Sequence, residues 1–227
     1  MMEEIILKGL ERGWLLEPEA KEICQKYGIF VGKWKVIRGL EEIDDAIKDF
    51  VFPLVMKIVS PDVIHKSDVG GVILDINSRN EAYEAFKKIE KIAIDGGFRL
   101  EGVLIEEMAP KGLETIIGAK MDPQFGPVVV FGLGGIFTEI FNDISLRIAP
   151  IDKEEALKMI SEIRGHRILK GVRGRKPSDI ESLAEVILKV SNIIMDFPRI
   201  SEIDLNPTIV YERGYRVVDA RMIFSKR

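Results

Sequence analysis

An α+β fold in two lobes is predicted for this chain of 227 residues. Three observations predict it. Strand-like apolar runs are mixed with amphipathic helices, without the regular alternation of a doubly wound parallel sheet. The length suffices for one large domain or two compact lobes. The composition, 46% hydrophobic and 31% charged, is that of a folded globular protein.

The elements follow in order. "LLEPEAKEICQKYGI" reads as a helix: Pro18 suits its first turn, Ala20, Ile23, Cys24 and Tyr27 share a face, and Gly28 stops it. "KWKVI" is a short strand. "LEEIDDAIKDF" is a second helix, with Ile43, Ala46, Ile47 and Phe50 at helical spacing. "PLVMKIV" (53–59) and "GGVILDI" (70–76) are strands, and "NEAYEAFKKIEKIAID" is a helix ended by Gly96 and Gly97. Three strands come next, at 102–108, 113–121 and 126–135. Two helices open on capping boxes, Asp152 with Glu155 and Ser178 with Glu181. The chain closes with "ISEIDLNPTIV", a turn at "ERG" and "YRVVDARMIF", a hairpin. The lobes are expected at 1–105 and 106–227.

Charge and composition exclude several function classes. A net charge of −4 argues against a general nucleic-acid binder. The single cysteine, Cys24, forms no internal disulfide and reads as a small core residue. The acidic opening "MMEEIILKGLERGW" does not match a signal peptide, and no segment has the apolar length of a membrane span. The expectation is a cytoplasmic protein that engages neither nucleic acid nor membrane.

Four places carry possible chemistry. In "PLVMKIV" side chains alternate, so Leu54, Met56 and Ile58 share one face while Val55, Lys57 and Val59 share the other. An unpaired charge is costly in a buried strand, so Lys57 faces solvent, a partner carboxylate or an anionic ligand. The loop "SPDVIHKSDVGG" follows, with His65 and the pair Gly70 and Gly71. Glycines let a backbone approach a phosphate and expose N–H donors, although a glycine pair also simply makes turns. A strand follows, not a helix, so this is not a Walker loop. His65 is either a surface residue or a group able to carry phosphate or protons.

The second place is the closing hairpin. A turn centred on Arg213 puts Asn206 opposite Ala220, one residue from Asp219. An amide oxygen and a carboxylate there suit Mg²⁺, or are an ordinary turn asparagine and surface aspartate. The third is "VLIEEMAPKGLETIIG". Glu106, Glu107 and Glu114 can accept hydrogen bonds from a ribose or an adenine amino group, or form a solvated edge. The fourth is "FGLGGIFTEIF", a close-approach loop with Glu139 nearby that lacks the full dinucleotide fingerprint. The basic segment "RGHRILKGVRGRKP" (164–177) is a solvated loop or a contact for a partner or anion.

Together "HKSDVGGV", "FGLGGIFTE", "GVRG" and "LNP…DAR" resemble the ATP-grasp fold across nearly the whole chain. Within it, the sequence is similar to the β subunit of ADP-forming acetyl-CoA synthetase, a relative of the succinyl-CoA synthetase β chain. The resemblance implies two lobes with ATP or ADP bound between them. Lys57 would contact the nucleotide phosphates under a flap of Gly70, Gly71 and Val72. Glu106, Glu107 and Met108 would form the hinge that reads adenine and ribose, with Glu114 at the ribose or phosphate edge. Asn206 and Asp219 would hold Mg²⁺, and His65 would carry a transient phosphoryl group.

Against that resemblance, the sequence shows neither the further C-terminal domain of succinyl-CoA synthetase β chains nor a recognisable CoA-binding domain, and the expectation is half of a split enzyme. The resemblance therefore implies a separate α subunit carrying that domain and the principal phosphohistidine, as α2β2. The activity implied is phosphoryl transfer from phosphohistidine to MgADP, coupled to acyl-CoA cleavage: an acid–thiol ligase active only with its α subunit. The competing readings are another ATP-grasp carboxylate ligase working through an acyl phosphate, and a non-catalytic nucleotide-binding regulatory subunit.

Overall fold

The computed structural model describes residues 2–135, 143–172, 174 and 176–225. The chain forms two compact units. One is residues 32–110; the other joins the residues before that stretch to those after it. This differs from the expected division at 105/106, for two physical reasons. The cut would fall inside a central strand, Gly102–Glu107. The leading segment also belongs with the C-terminal hairpin: the Leu15 amide donates to the Met222 carbonyl at 2.9 Å, and the Phe224 amide to the Gly13 carbonyl at 2.8 Å.

The smaller unit is a four-stranded antiparallel sheet covered on one face by helices. Its strands are β1 (Trp34–Ile37), β2 (Leu54–Val59), β3 (Val72–Ile76) and β4 (Gly102–Glu107), in the order β1-β4-β2-β3. The alternation read from the sequence holds. Leu54, Met56 and Ile58, with Val103 and Ile105, join the core built by Ala82, Ala85, Phe86 and Ile89 of a long helix, Arg79–Gly96. Ser78 caps that helix by accepting from the Glu81 amide, and Gly97 ends it at φ 66°. The helix expected over 40–50 is shorter: a 3₁₀ turn at Leu40–Glu42, then Ile43–Ile47. It closes on tighter bonds, with Asp49 and Phe50 amides donating to the carbonyls three residues back.

The larger unit opens with helices α1 (Met2–Arg12) and α2 (Glu17–Lys26). Pro18 lies in the first turn of α2, and Ala20, Ile23 and Cys24 are buried. Burial pushes the Cys24 thiol up to about 12, so it is an inert core residue. The sheet comprises β5 (Leu113–Asp122), β6 (Gly126–Leu133), β7 (Ile144–Ile148), β8 (Ile200–Val210) and β10 (Arg221–Phe224). Its order is β10-β8-β5-β6-β7, with the short β9 (Tyr215–Val217) also pairing β8. The helices Lys153–Glu162 and Ile180–Asp196 pack on one face, over Ile117, Val129, Phe131, Ile203 and Leu205.

Asp152 caps the first of these helices by accepting from the Glu155 amide at 2.8 Å, as expected. The second is capped by Asp179, not Ser178. Its carboxylate accepts from the Ser182 amide at 3.0 Å and the Gly214 amide at 2.7 Å, so one side chain holds both the helix start and the hairpin turn. Among the described residues no helix is long and apolar enough to cross a membrane.

Candidate functional site

Lys57 sits at the middle of β2, a strand buried along its whole length. Its ammonium lies 2.6 Å from the Glu106 carboxylate, and both side chains are almost fully buried. Of the three environments open from sequence, the structure chooses a partner carboxylate. The register explains the meeting: Val55 faces Glu106 across the β2–β4 ladder and Lys57 is two residues on, so both charges stand on the face away from the helical core.

The loop after β2 leads to the glycine pair. Gly70 adopts φ +71°. A Cβ on Gly71 would collide with Ile58 Cγ2 and come within 3.1 Å of the Lys66 carbonyl, so the close approach requires glycine there. The Gly70 amide donates to Ser67 O at 3.1 Å and the Gly71 amide to Lys66 O at 2.7 Å. In this conformation the two expected phosphate donors are used inside the loop. Val72 begins β3 directly opposite Lys57. His65 is exposed on the loop.

At the expected hinge the three residues separate by role. Glu106 is committed to Lys57. Glu107 is half-buried and accepts from the Val51 amide at 3.0 Å. The Met108 amide donates to the Pro53 carbonyl at 2.9 Å, which leaves its own carbonyl as the directional backbone group there.

In the larger unit, residues opposite in register share a face. Gly118 pairs with Val130 and with Asp204, and Val130 pairs with Leu146. Alternation then places Glu114, Ile116 and Lys120 of β5, and Glu202, Asp204 and Asn206 of β8, on the sheet face that the helices leave open. Glu114 is exposed on it, and the Gly134 amide of the GLGG loop donates to the Glu114 carbonyl at 2.8 Å. Glu139 lies outside the described residues.

The hairpin register is one residue away from the sequence expectation. Thr208 pairs with Val217 and Asp204 with Arg221, so the ladder brings Asn206 opposite Asp219 rather than opposite Ala220. The turn is centred between residues, not on Arg213. The Val218 amide donates to the Pro207 carbonyl at 2.9 Å across this gap. Asn206 is exposed and Asp219 half-buried. The register on either side of the gap thus brings an amide and a carboxylate opposite each other, the kind of donors Mg²⁺ takes when completed by phosphate and water.

Sequence reasoning missed two polar anchors. Arg221 bridges Glu202 at 2.8 Å and Asp204 at 3.2 Å, fixing the strands beside Asn206. The alternation of charges in "SEIDLN" against "DARMIF" was the available signal. Buried Asp143 accepts from the Arg164 amide at 2.7 Å and the Gly165 amide at 2.6 Å, tying down the start of the basic segment. Farther along that segment Lys176 pairs with Glu212 at 2.8 Å and lines a cleft with Lys111 and Arg213. Arg173 and Arg175 lie outside the described residues.

Comparison with known proteins places these features in a family. An ATP-grasp domain profile matches residues 7–224. The chain is 52% identical over 223 residues to the acetate–CoA ligase (ADP-forming) I subunit beta of Pyrococcus furiosus, covering 97% of this chain and 96% of that one. It is 44% identical over 228 residues to the acetate–CoA ligase (ADP-forming) I of Archaeoglobus fulgidus, covering 99% of this chain but only 33% of that longer one. Among solved structures, a dinucleotide-forming acetyl-coenzyme A synthetase of Ca. Korarchaeum cryptofilum, with coenzyme A and Ca-AMPCP, superposes with a TM-score of 0.94 at 42% identity, covering 99% and 100% of the two chains. A second structure of that enzyme, with Mg-AMPPCP and a phosphohistidine segment pointing towards the nucleotide binding site, gives a TM-score of 0.86 at 41% identity, covering 99% and 100%. With this coverage, at both the sequence and the structural level, the chain belongs to the ATP-grasp family, among the β subunits of ADP-forming acetate–CoA ligases.

Proposed function

We propose that this chain is the nucleotide half of a split ADP-forming acyl-CoA synthetase. It accepts a phosphoryl group from phosphohistidine and passes it to MgADP. The single observation that carries the reading is the in-register facing of Asn206 and Asp219. An amide oxygen on β8 and a carboxylate between β9 and β10 match what a phosphate-bound Mg²⁺ takes.

The companion α subunit, in an α2β2 assembly, would convert acyl-CoA and phosphate to acyl phosphate and CoA, and its histidine would take the phosphoryl group. In this chain His65, exposed on a loop anchored to β2 and β3, receives that group on a ring nitrogen. In the last step the N–P bond breaks, a bond forms to a β-phosphate oxygen of ADP, and the imidazole nitrogen takes up a proton. Phosphoryl transfer depends on positioning and charge neutralisation more than on covalent chemistry by the protein.

Lys57 supplies a fixed positive charge for the phosphates, and Glu106 holds that ammonium in one place. Gly70, Gly71 and Val72 cover the phosphates once their loop opens its internal hydrogen bonds. Glu107 and the Met108 carbonyl read the base, and Glu114 the ribose. Bound Mg²⁺, held by Asn206 and Asp219, would neutralise charge on the phosphate oxygens. The named relatives support this: one is an ADP-forming β subunit, and one was solved with Mg-AMPPCP and a phosphohistidine segment pointing at its nucleotide site.

Isothermal titration tests the metal pair. MgADP should bind the wild-type chain more tightly than ADP alone, and Asp219→Ala should erase that difference while the variant still unfolds in a cooperative transition. An undiminished Mg²⁺ effect in the variant would contradict the assignment.

A further inference from the structure

The open face of the larger sheet is divided. Its β8 side is polar, with Glu202, Asp204, Asn206 and the bridging Arg221. Its other side is apolar. Strand β7 presents Ile144, Leu146 and Ile148 at 41%, 51% and 55% exposure, while Ser145 is buried on the opposite face. Leu146 lies against Val130 and Ile148 against Val128, both half-buried, so the apolar residues are contiguous across two strands. Arg147 bridges Glu155 and Glu162 of the covering helix and leaves no charge on the open side of β7. Among the described residues strand β7 also ends the sheet, so its outer edge offers backbone groups as well. Single exposed apolar residues such as Ile94 need no explanation, but a contiguous patch on a sheet edge does.

We propose that this apolar flank is the seat of the companion CoA-binding subunit. The inference rests on the split-enzyme reading above. Two observations choose that occupant over a second copy of this chain. First, the patch shares its sheet face with Glu114 and Asn206, so a chain docked there stands beside residues assigned above to the ribose and the Mg²⁺. Second, this chain spans about a third of the single-chain Archaeoglobus relative but nearly all of the Pyrococcus β subunit. In the single-chain form the remaining two thirds are tethered, at an effective concentration on the order of millimolar for a short flexible link. In the two-chain form that tether is gone and association needs a permanent apolar contact of its own. The partner surface is correspondingly apolar and able to lie against a strand edge.

The test uses the full chain and the purified companion subunit. The double variant Leu146→Lys/Ile148→Lys should bind the companion at least tenfold more weakly by biolayer interferometry. Acyl-CoA-dependent ATP formation should fall at limiting companion and recover when the companion is raised. MgADP binding to the isolated variant should be unchanged. Leu146→Thr, which keeps a strand-forming residue, should give a smaller loss in the same direction and guards against misfolding of the double variant. Ile94→Lys, a charge placed on a still more exposed residue of the other unit, should have no effect.

If the wild-type pair assembles and turns over but both β7 variants bind as wild type, the surface is wrong and the split-enzyme reading stands. If the wild-type chain self-associates and the double variant does not, the occupant is a second copy and the proposal fails. If no companion binds the wild-type chain, both the surface and the split-enzyme reading fail.

Discussion

At the scale of single residues, the decisive pair is Lys57 with Glu106. Burying two charges is costly, and a buried ion pair is weak evidence for stability by itself. Its retention in the middle of an apolar strand therefore points to function. Glu106→Ala would leave an ammonium buried without its carboxylate and should cost about 3–5 kcal/mol in denaturant unfolding. The double variant Lys57→Met/Glu106→Leu fills the same volume with apolar groups and should recover most of that loss while ATP formation stays abolished. A double variant that kept activity would show the pair to be structural. His65 makes the complementary case. It is exposed, so His65→Asn should shift stability by no more than about 0.5 kcal/mol, leave MgADP binding intact, and abolish ATP formation in the assembled enzyme. The sequence showed Lys57 to be out of place in its strand but could not show which of three environments it had found, because the answer lay 49 positions away in β4.

At the scale of elements, Asp179 joins the start of the Ile180–Asp196 helix to the hairpin turn at Gly214. The Gly214 amide, and then the Ser182 amide, hold its carboxyl below the usual aspartate range. The sign follows from linkage: a carboxylate with a lowered folded value stabilises the fold above its unfolded value and loses that contribution as pH falls through the folded one. Asp179→Ala should thus cost about 1–2 kcal/mol near neutral pH. The difference between variant and wild type should shrink as pH drops below about 4. A gap that stayed constant down to pH 2 in thermal melts would contradict the charged cap. Gly71→Ala should loosen the flap turn by about 1–3 kcal/mol through its collision with Ile58, weakening MgADP binding.

Most elements were legible because their apolar period was long enough to read. The helix at 79–96 and the strands β2, β4, β5 and β8 all fall within a residue or two of expectation. Among the described elements not foreseen are α1, β7 and the short helix His166–Leu169. In α1 only Ile5 and Gly9 are buried, too few to mark a face. In β7 the alternation was present in "ISLRI", but its apolar side faces outward, so core logic gave no reason to look there. The hairpin register differed by one residue because turn geometry, which sets register, was assumed rather than readable.

At the scale of the whole molecule, the sequence announced two lobes but not which residues built each. Apolar pattern shows that a segment is buried, not against what; the N-terminal helices join the C-terminal hairpin through backbone bonds that no local motif encodes. The candidate residues were legible as a set of motifs in order. Their committed hydrogen bonds, at Gly70, Gly71 and Met108, were not, since each depends on a folded neighbour.

The central claim is that this chain handles the nucleotide and needs a companion for the acyl-CoA chemistry. Acyl-CoA- and phosphate-dependent ATP formation tests it most directly, measured with this chain alone, the companion alone, and the two together. The account predicts no turnover from either chain and turnover from the mixture, lost with His65→Asn. ATP formation from acyl-CoA by this chain without a companion would contradict it.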